Sequence, residues 1–265
     1  MSGSRRALEG RRILLTGARE KGDVLARLLR AQGADLVDLP LIRFEDPDSW
    51  QPLHDALDRL AAFRHLLLTS ATAVDRFFAQ LQGRSLRLPA ALEITTVGPK
   101  TALALERWGA QAHHVAEDFR AEGVLALFAR RSLTGEEILF PRAQEAREIL
   151  VEELSARGAR LTVVPVYRTA PVAEAGEALR TALGQRRIDA VTLTSASAAR
   201  QLARLLGEGE APDLLREVLV ACLGPVTAEA ARRAGLPPTL VPARSTIEDL
   251  VEAIRAHFTA GEISL

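Results

Sequence analysis

The sequence predicts an α/β protein of two flavodoxin-like lobes with parallel sheets, each sheet covered on both faces by helices. Three observations predict it. The chain repeats itself once, each copy alternates short apolar runs with helix-period stretches, and small residues mark the strand-to-helix junctions.

Shifted by 125 residues, Arg12–Asp46 lies over Glu137–Pro171, and across 13–46 the identities number 12 of 34. They include Ile13/Ile138, Leu25/Leu150, Gly33/Gly158 and Pro40/Pro165. The same shift places Leu68-Thr69-Ser70-Ala71 over Leu193-Thr194-Ser195-Ala196. One inserted residue later, Gly98-Pro99-Lys100-Thr101-Ala102 matches Gly224-Pro225-Val226-Thr227-Ala228. A solenoid needs several shorter repeats, so two long copies mean two similar lobes.

In the first copy, Ile13–Leu15 is a short buried strand, and Val24, Leu25, Leu28 and Leu29 mark one face of a helix. Gly33 suits that helix's C-terminus, and Ala34–Leu39 follows as a strand. Leu66–Leu68 runs into a helix bearing Val74, Phe77, Phe78 and Leu81. Ile94–Val97 is a strand, Thr101–Arg107 begins a helix that closes at Gly109, Val115 opens a last strand, and Glu122–Arg130 is a helix. The second copy repeats the series with Ile138–Phe140, Ile149–Leu154, Leu161–Val164, Ala190–Leu193, Val220–Leu223, Leu240–Val241 and Ile247–Phe258. Met1–Arg12 is polar and basic without periodicity, and is expected to lie outside the cores.

The chain has 265 residues with 34 basic and 34 acidic side chains, interleaved along helices. Nucleic-acid clamps carry a basic excess, so no nucleic-acid partner is expected. No stretch approaches the ~18 apolar residues of a membrane span, and no signal peptide is evident, so a cytoplasmic protein is expected. The single cysteine, Cys222, lies in the apolar run Val218–Leu223, where a thiol serves as a small hydrophobe. No histidine has zinc-ligand spacing with carboxylates, and His113 and His114 suit a surface or edge strand. Phosphate-loop, dinucleotide and nucleophile-elbow motifs are absent, so no metal and no cofactor is expected.

In open parallel sheets, ligands bind where strand carboxyl ends feed helix N-termini. Four repeated segments occupy that place: Thr69-Ser70-Ala71, Gly98-Pro99-Lys100-Thr101, Thr194-Ser195-Ala196-Ser197 and Gly224-Pro225-Val226-Thr227. Free amides and the helix dipole there can hold a carboxylate or phosphate. The same residues also suit plain helix caps, worth ~1 kcal/mol each. Four segments in two matched pairs favour binding over capping alone.

These motifs, with Ile138-Leu139-Phe140-Pro141-Arg142 and Val164-Pro165-Val166-Tyr167-Arg168-Thr169, resemble the uroporphyrinogen-III synthase family in order and spacing from Ile13 to about Phe258. The resemblance implies a discontinuous lobe of residues 1–37 plus 172–265 and a second of 43–163. Extended linkers, 38–42 and 164–171, would cross between them, with a cleft between the lobes. Pro40 and Pro165 suit edge or irregular chain there.

The reaction implied is cyclisation of hydroxymethylbilane, an octacarboxylate, on the route to haem. Loss of the terminal hydroxyl gives an azafulvene, attack by the substituted carbon of the last pyrrole gives a spiro intermediate, and reclosure inverts that ring. No metal or organic cofactor takes part. Carried over, the carboxylate cradles are Thr69, Ser70 and Ala71; Gly98, Lys100 and Thr101; Thr194, Ser195, Ala196 and Ser197; and Gly224, Val226 and Thr227. Arg142 would pair with a carboxylate. Tyr167, the sole tyrosine, would assist hydroxyl departure or pack a hinge. Arg19 follows Thr16 later than the family's arginine and is given no role. A monomer is expected. The alternative is a non-enzymatic two-lobed small-ligand binding or sensor protein; a glycosyl or phosphoryl transferase is a weaker third.

Overall fold

The computed structural model describes residues 6–18, 24–116, 121–129, 132–146, 148–185, 187–207, 209 and 211–262. Arg19 lies outside the described residues. Strands are β1 (Arg12–Leu15), β2 (Asp35–Asp38), β3 (Ile42–Glu45), β4 (His65–Leu68), β5 (Glu93–Val97), β6 (His114–Ala116), β7 (Glu137–Ala143), β8 (Arg160–Pro171), β9 (Ala190–Leu193) and β10 (Leu219–Cys222). Helices are α1 (Val24–Ala31), α2 (Gln51–Asp58), α3 (Ala71–Gly83), α4 (Gly98–Glu106), α5 (Ala121–Phe128), α6 (Ile149–Ala156), α7 (Ala175–Gly184), α8 (Ala196–Leu206), α9 (Ala211–Leu214), α10 (Pro225–Arg233) and α11 (Ile247–Glu262).

The chain divides into two compact units, Met1–Arg43 with Ala170–Leu265, and Phe44–Thr169. The first holds a sheet of order β2-β1-β9-β10, parallel throughout. Leu240 adds one parallel bridge beyond β10, at Ala221, where a fifth strand would stand. The other sheet has the order β3-β8-β7-β4-β5-β6, parallel from β8 to β6. With β3 set aside, it is the first sheet again: β7 replaces β1, β8 replaces β2, and β4 and β5 replace β9 and β10. Both follow the 2-1-3-4-5 order of flavodoxin-like sheets, though the chain visits the strands in different sequence. Each unit therefore joins the front half of one repeat copy to the back half of the other.

Strand alternation explains the two-faced burial. In the first unit Leu14, Val191 and Val220 join α7, α8 and α10 in one cluster, whereas Ile13, Leu15, Ala190 and Leu219 join α1 and α11 in another. In the second unit Leu66, Leu68 and Leu139 pack with α2, α3 and α4, and Leu67, Ile138 and Phe140 with α5 and α6. His114 lies on β6, an edge strand of its sheet. No helix among the described residues is long and apolar enough to cross a membrane.

Three details differ from the sequence expectation. Leu8 belongs to a core: it is fully buried in the α1–α11 cluster, and its N–H donates to the Gln32 carbonyl at 3.0 Å. One apolar residue in a turn produces no periodicity, which is why the segment reads as tail. Ile42–Glu45 forms β3, and Val164–Pro171 continues β8 as strand with one bulge. Pro165 lies inside β8, opposite Arg142, and the register slips immediately afterwards so that Ala143 faces Tyr167. Proline brings no N–H to the ladder, and a bulge accommodates the missing donor.

Candidate active site

The carboxyl ends of β4, β5, β7 and β8 bring together most of the expected residues of the second unit. Ser70 is extended (φ −151°, ψ 151°) and caps α3, its Oγ accepting from the Ala73 N–H at 3.1 Å. Thr69 and Ala71 flank it and are half-buried. The Tyr167 hydroxyl lies 3.3 Å from Ser70 Oγ. The Tyr167 ring is 8% exposed and meets the edge of Phe44 at 5.2 Å between centroids. The Gln144 N–H donates to the Tyr167 carbonyl at 2.8 Å, tying β7 to β8 at this point. Arg142, at the bulge, is 6% exposed, ion-paired to Glu148 and 5.6 Å from the Phe140 ring centroid.

Gly98 opens α4 with φ +73°, a conformation in which a side chain is strained, and Lys100 is exposed beside it. Thr101 is 3% exposed, so its side chain faces the interior and only its backbone is placed for a ligand.

The first unit repeats part of this arrangement. Ser195 (φ −150°, ψ 155°) caps α8, accepting from the Ala198 N–H at 3.1 Å, the geometry of Ser70 again. Thr194, Ala196 and Ser197 are half-buried, and Arg200 donates to Ser197 Oγ at 3.4 Å. Gly224 caps α10 in extended conformation, where φ demands no glycine. The reason for glycine lies across the loop, because a Cβ there would collide with Ser245. Gly17 is similarly close to Thr194, whose Oγ1 would stand 3.2 Å from an added Cβ. Val226 is half-buried and Thr227 6% exposed, matching Thr101.

The two rims differ where it matters chemically. By the 125-residue shift, Arg142 corresponds to Gly17 and Tyr167 to Ile42. Among the expected site residues, the three with acid–base or ion-pair side chains, Lys100, Arg142 and Tyr167, all stand in the second unit. Sequence reasoning missed Phe44, Gln144 and Ser245. Ser245-Thr246 does precede a helix-period run, and Thr246 Oγ1 accepts from the Asp249 N–H at 3.1 Å as its cap.

Cys222 is fully buried in β10, and desolvation pushes its thiol up to about 11 despite the opposing charge of Arg232. A nucleophile would need the reverse. No cluster of three metal-ligating side chains occurs among the described residues.

Paired sheets of flavodoxin order, with capped helix N-termini along their carboxyl rims, define an α/β protein of the doubly wound class. Residues 23–252 match the family described as Uroporphyrinogen-III synthase HemD. The chain is 31% identical over 228 residues to the uroporphyrinogen-III synthase of Synechococcus elongatus, covering 83% of this chain and 85% of that relative. The Escherichia coli uroporphyrinogen-III synthase is 29% identical over 197 residues, 73% of this chain and 79% of that one. The fold is similar to a mutant uroporphyrinogen III synthase from Thermus thermophilus, with a TM-score of 0.67 at 21% identity over 94% of this chain and 99% of that chain. The Helicobacter pylori enzyme gives 0.58 at 16% identity, covering 93% and 99%. The chain belongs to the uroporphyrinogen-III synthase family.

Proposed function

We propose that this protein is a uroporphyrinogen-III synthase that cyclises hydroxymethylbilane with inversion of its terminal pyrrole. The observation that carries the reading is the Tyr167 phenol near the carboxyl edge of its sheet, 3.3 Å from Ser70 Oγ. A buried guanidinium, Arg142, stands on the adjoining strand but on the other face, over Phe140 of the α5–α6 cluster, whereas Tyr167 packs with α2, α3 and α4. A polyanionic substrate that must lose a hydroxyl needs a cation to hold a carboxylate and a weak acid at the departing oxygen.

In this reading Tyr167 donates a proton as the C–O bond breaks, leaving water, a phenolate and an azafulvenium cation that keeps its pyrrole N–H; the phenolate recovers its proton when the last step releases one. The substituted carbon of the last pyrrole then bonds to the azafulvenium methylene, giving the protonated spiro pyrrolenine. Cleavage of the old bridge and reclosure at the other carbon, with loss of a proton, restore aromatic pyrroles in the inverted order. Within the second unit the amides that begin α3 and α4 are donors for substrate carboxylates; within the first, those that begin α8 and α10 and the hydroxyls of Thr194 and Ser195 have the same chemistry. The protein's main contribution is conformational: it keeps the bilane in the pose that favours the spiro route over direct closure. In this reading the C–O bond breaks beside Tyr167, in the second unit. The substrate is a small molecule, and no nucleic acid or membrane is required.

The test is isomer composition. Purified protein given hydroxymethylbilane, with no added metal or cofactor, should turn the product from uroporphyrinogen I to the III isomer. An unchanged ratio removes the reading, and tight bilane binding with that unchanged ratio would leave a binding protein in its place.

A further inference from the structure

We propose that Ser70 is the positioning residue for the Tyr167 phenol. This rests on the reading of Tyr167 as the proton donor to the departing hydroxyl, and it assigns to Ser70 a role beyond carboxylate binding.

The Ser70 hydroxyl is held from two sides. Its oxygen accepts from the Ala73 N–H at 3.1 Å, which fixes the side-chain torsion, and it lies 3.3 Å from the Tyr167 hydroxyl. A serine hydroxyl has one proton and two acceptor sites. With one acceptor site occupied by the helix amide, its proton is available to the phenol oxygen. A phenol also has a single proton. If Tyr167 gives that proton to a substrate oxygen, Ser70 must be the donor in the Ser70–Tyr167 pair. The serine then stabilises the phenolate that forms, and the helix amide polarises the serine in the same direction. The ring has little freedom to turn away, being wedged against Phe44 and 8% exposed.

The internal repeat supplies a control. Ser195 occupies the equivalent position, with matching backbone angles and the same 3.1 Å cap bond. The residue equivalent to Tyr167 is Ile42. Capping alone accounts for Ser195. At Ser70 the same cap has a phenol added to it.

Tyr167 is the only tyrosine, so its ionisation can be followed by ultraviolet absorbance without interference from another phenol. Glycine caps helices nearly as well as serine, so Ser70→Gly removes the hydroxyl with little change in stability. In substrate-free protein, Ser70→Gly should raise the midpoint of tyrosine ionisation by about one pH unit, and Ser195→Gly should leave it in place. In turnover, Ser70→Gly should lower kcat about tenfold, the factor one ordinary hydrogen bond supplies, with a smaller change in KM. Ser70→Thr, which keeps a capping hydroxyl, should restore both readouts.

An unmoved tyrosine midpoint in Ser70→Gly overturns the proposal, as does a fall in kcat that Ser70→Thr does not restore. Tyr167→Phe separates the two levels. If it is slow while Ser70→Gly is not, only the role of Ser70 fails. If Tyr167→Phe keeps full kcat, the proton-donor reading of Tyr167 fails first and the Ser70 role falls with it.

Discussion

Arg142 is ion-paired to Glu148 with unequal burial: the arginine side chain is 7% exposed and the glutamate 56%. The inequality sets the energetic consequences of cutting the pair. A carboxylate more than half in water is readily hydrated when its partner leaves. A guanidinium inside the sheet edge is reached poorly by water and loses one of its partners.

Glu148→Ala should therefore cost about 1–3 kcal/mol of stability, and Arg142→Met less than about 1 kcal/mol, because the methionine fills similar volume. Activity should show the opposite order. Arg142→Met removes the cation assigned to a substrate carboxylate and should raise KM for hydroxymethylbilane about tenfold or more. Urea unfolding and steady-state kinetics on both variants check this. A larger stability loss in Arg142→Met than in Glu148→Ala would contradict it.

Thr95 and Thr96 lie in β5 with fully buried hydroxyls that have no hydrogen-bond partner among the described residues. A buried hydroxyl without a partner keeps its desolvation cost, and valine has nearly the same shape. Thr96→Val should thus stabilise the protein by about 1 kcal/mol and raise Tm by about 2–4 °C. Calorimetry decides it, and a lowered Tm would mean that the hydroxyl has a partner in solution.

Much of this fold is legible from the repeat. The strands that contain Ile13, Leu66, Ile94, Ile138, Leu161, Ala190 and Val220 are all present, because a buried parallel strand is a short apolar run and little else. α2 and α7 went unread although their signal was present, with Leu53, Ala56 and Leu57 in one and Leu179 and Leu183 in the other at helical spacing. β3 was hidden by Pro40 and by its brevity. The strand-end serines were legible as a pair through their repetition. Their different surroundings were not, since Ser70 and Tyr167 are separated by 97 positions and only the strand order brings them together. Ser245 was hidden for the same reason. Its importance comes from Gly224, on another loop.

That pair predicts a difference between two glycines that share a motif. Gly224 has extended backbone and is glycine because Ser245 occupies its Cβ space; Gly98 is glycine because φ is +73°. Gly224→Ala should destabilise, and adding Ser245→Gly should recover most of the loss. Gly98→Ala should cost about 1–2 kcal/mol from strain in its own backbone. A double-mutant cycle by urea unfolding measures the coupling. Additive losses for Gly224 and Ser245 would show that the loops move apart freely.

Cys222 makes a prediction about alkaline stability. Burial pushes the thiol up to about 11 from an ordinary value of 9.0, so the folded state holds the proton more tightly than the unfolded chain. Stability from this group is fully present below about 9 and is lost as pH rises toward about 11, because the unfolded chain releases its proton first. Cys222→Ala should flatten the decline of unfolding free energy across that window, though its smaller side chain lowers stability at neutral pH by about 1 kcal/mol. The alkaline background is simple, since the chain has two lysines, one tyrosine and no other cysteine. At pH 8 the native thiol should resist a thiol-specific reagent on a timescale where the urea-unfolded chain reacts at once. Unfolding curves of wild type and Cys222→Ala at neutral and alkaline pH provide the check. If the two lines run parallel from about 9 to 11, the folded protein does not hold that proton.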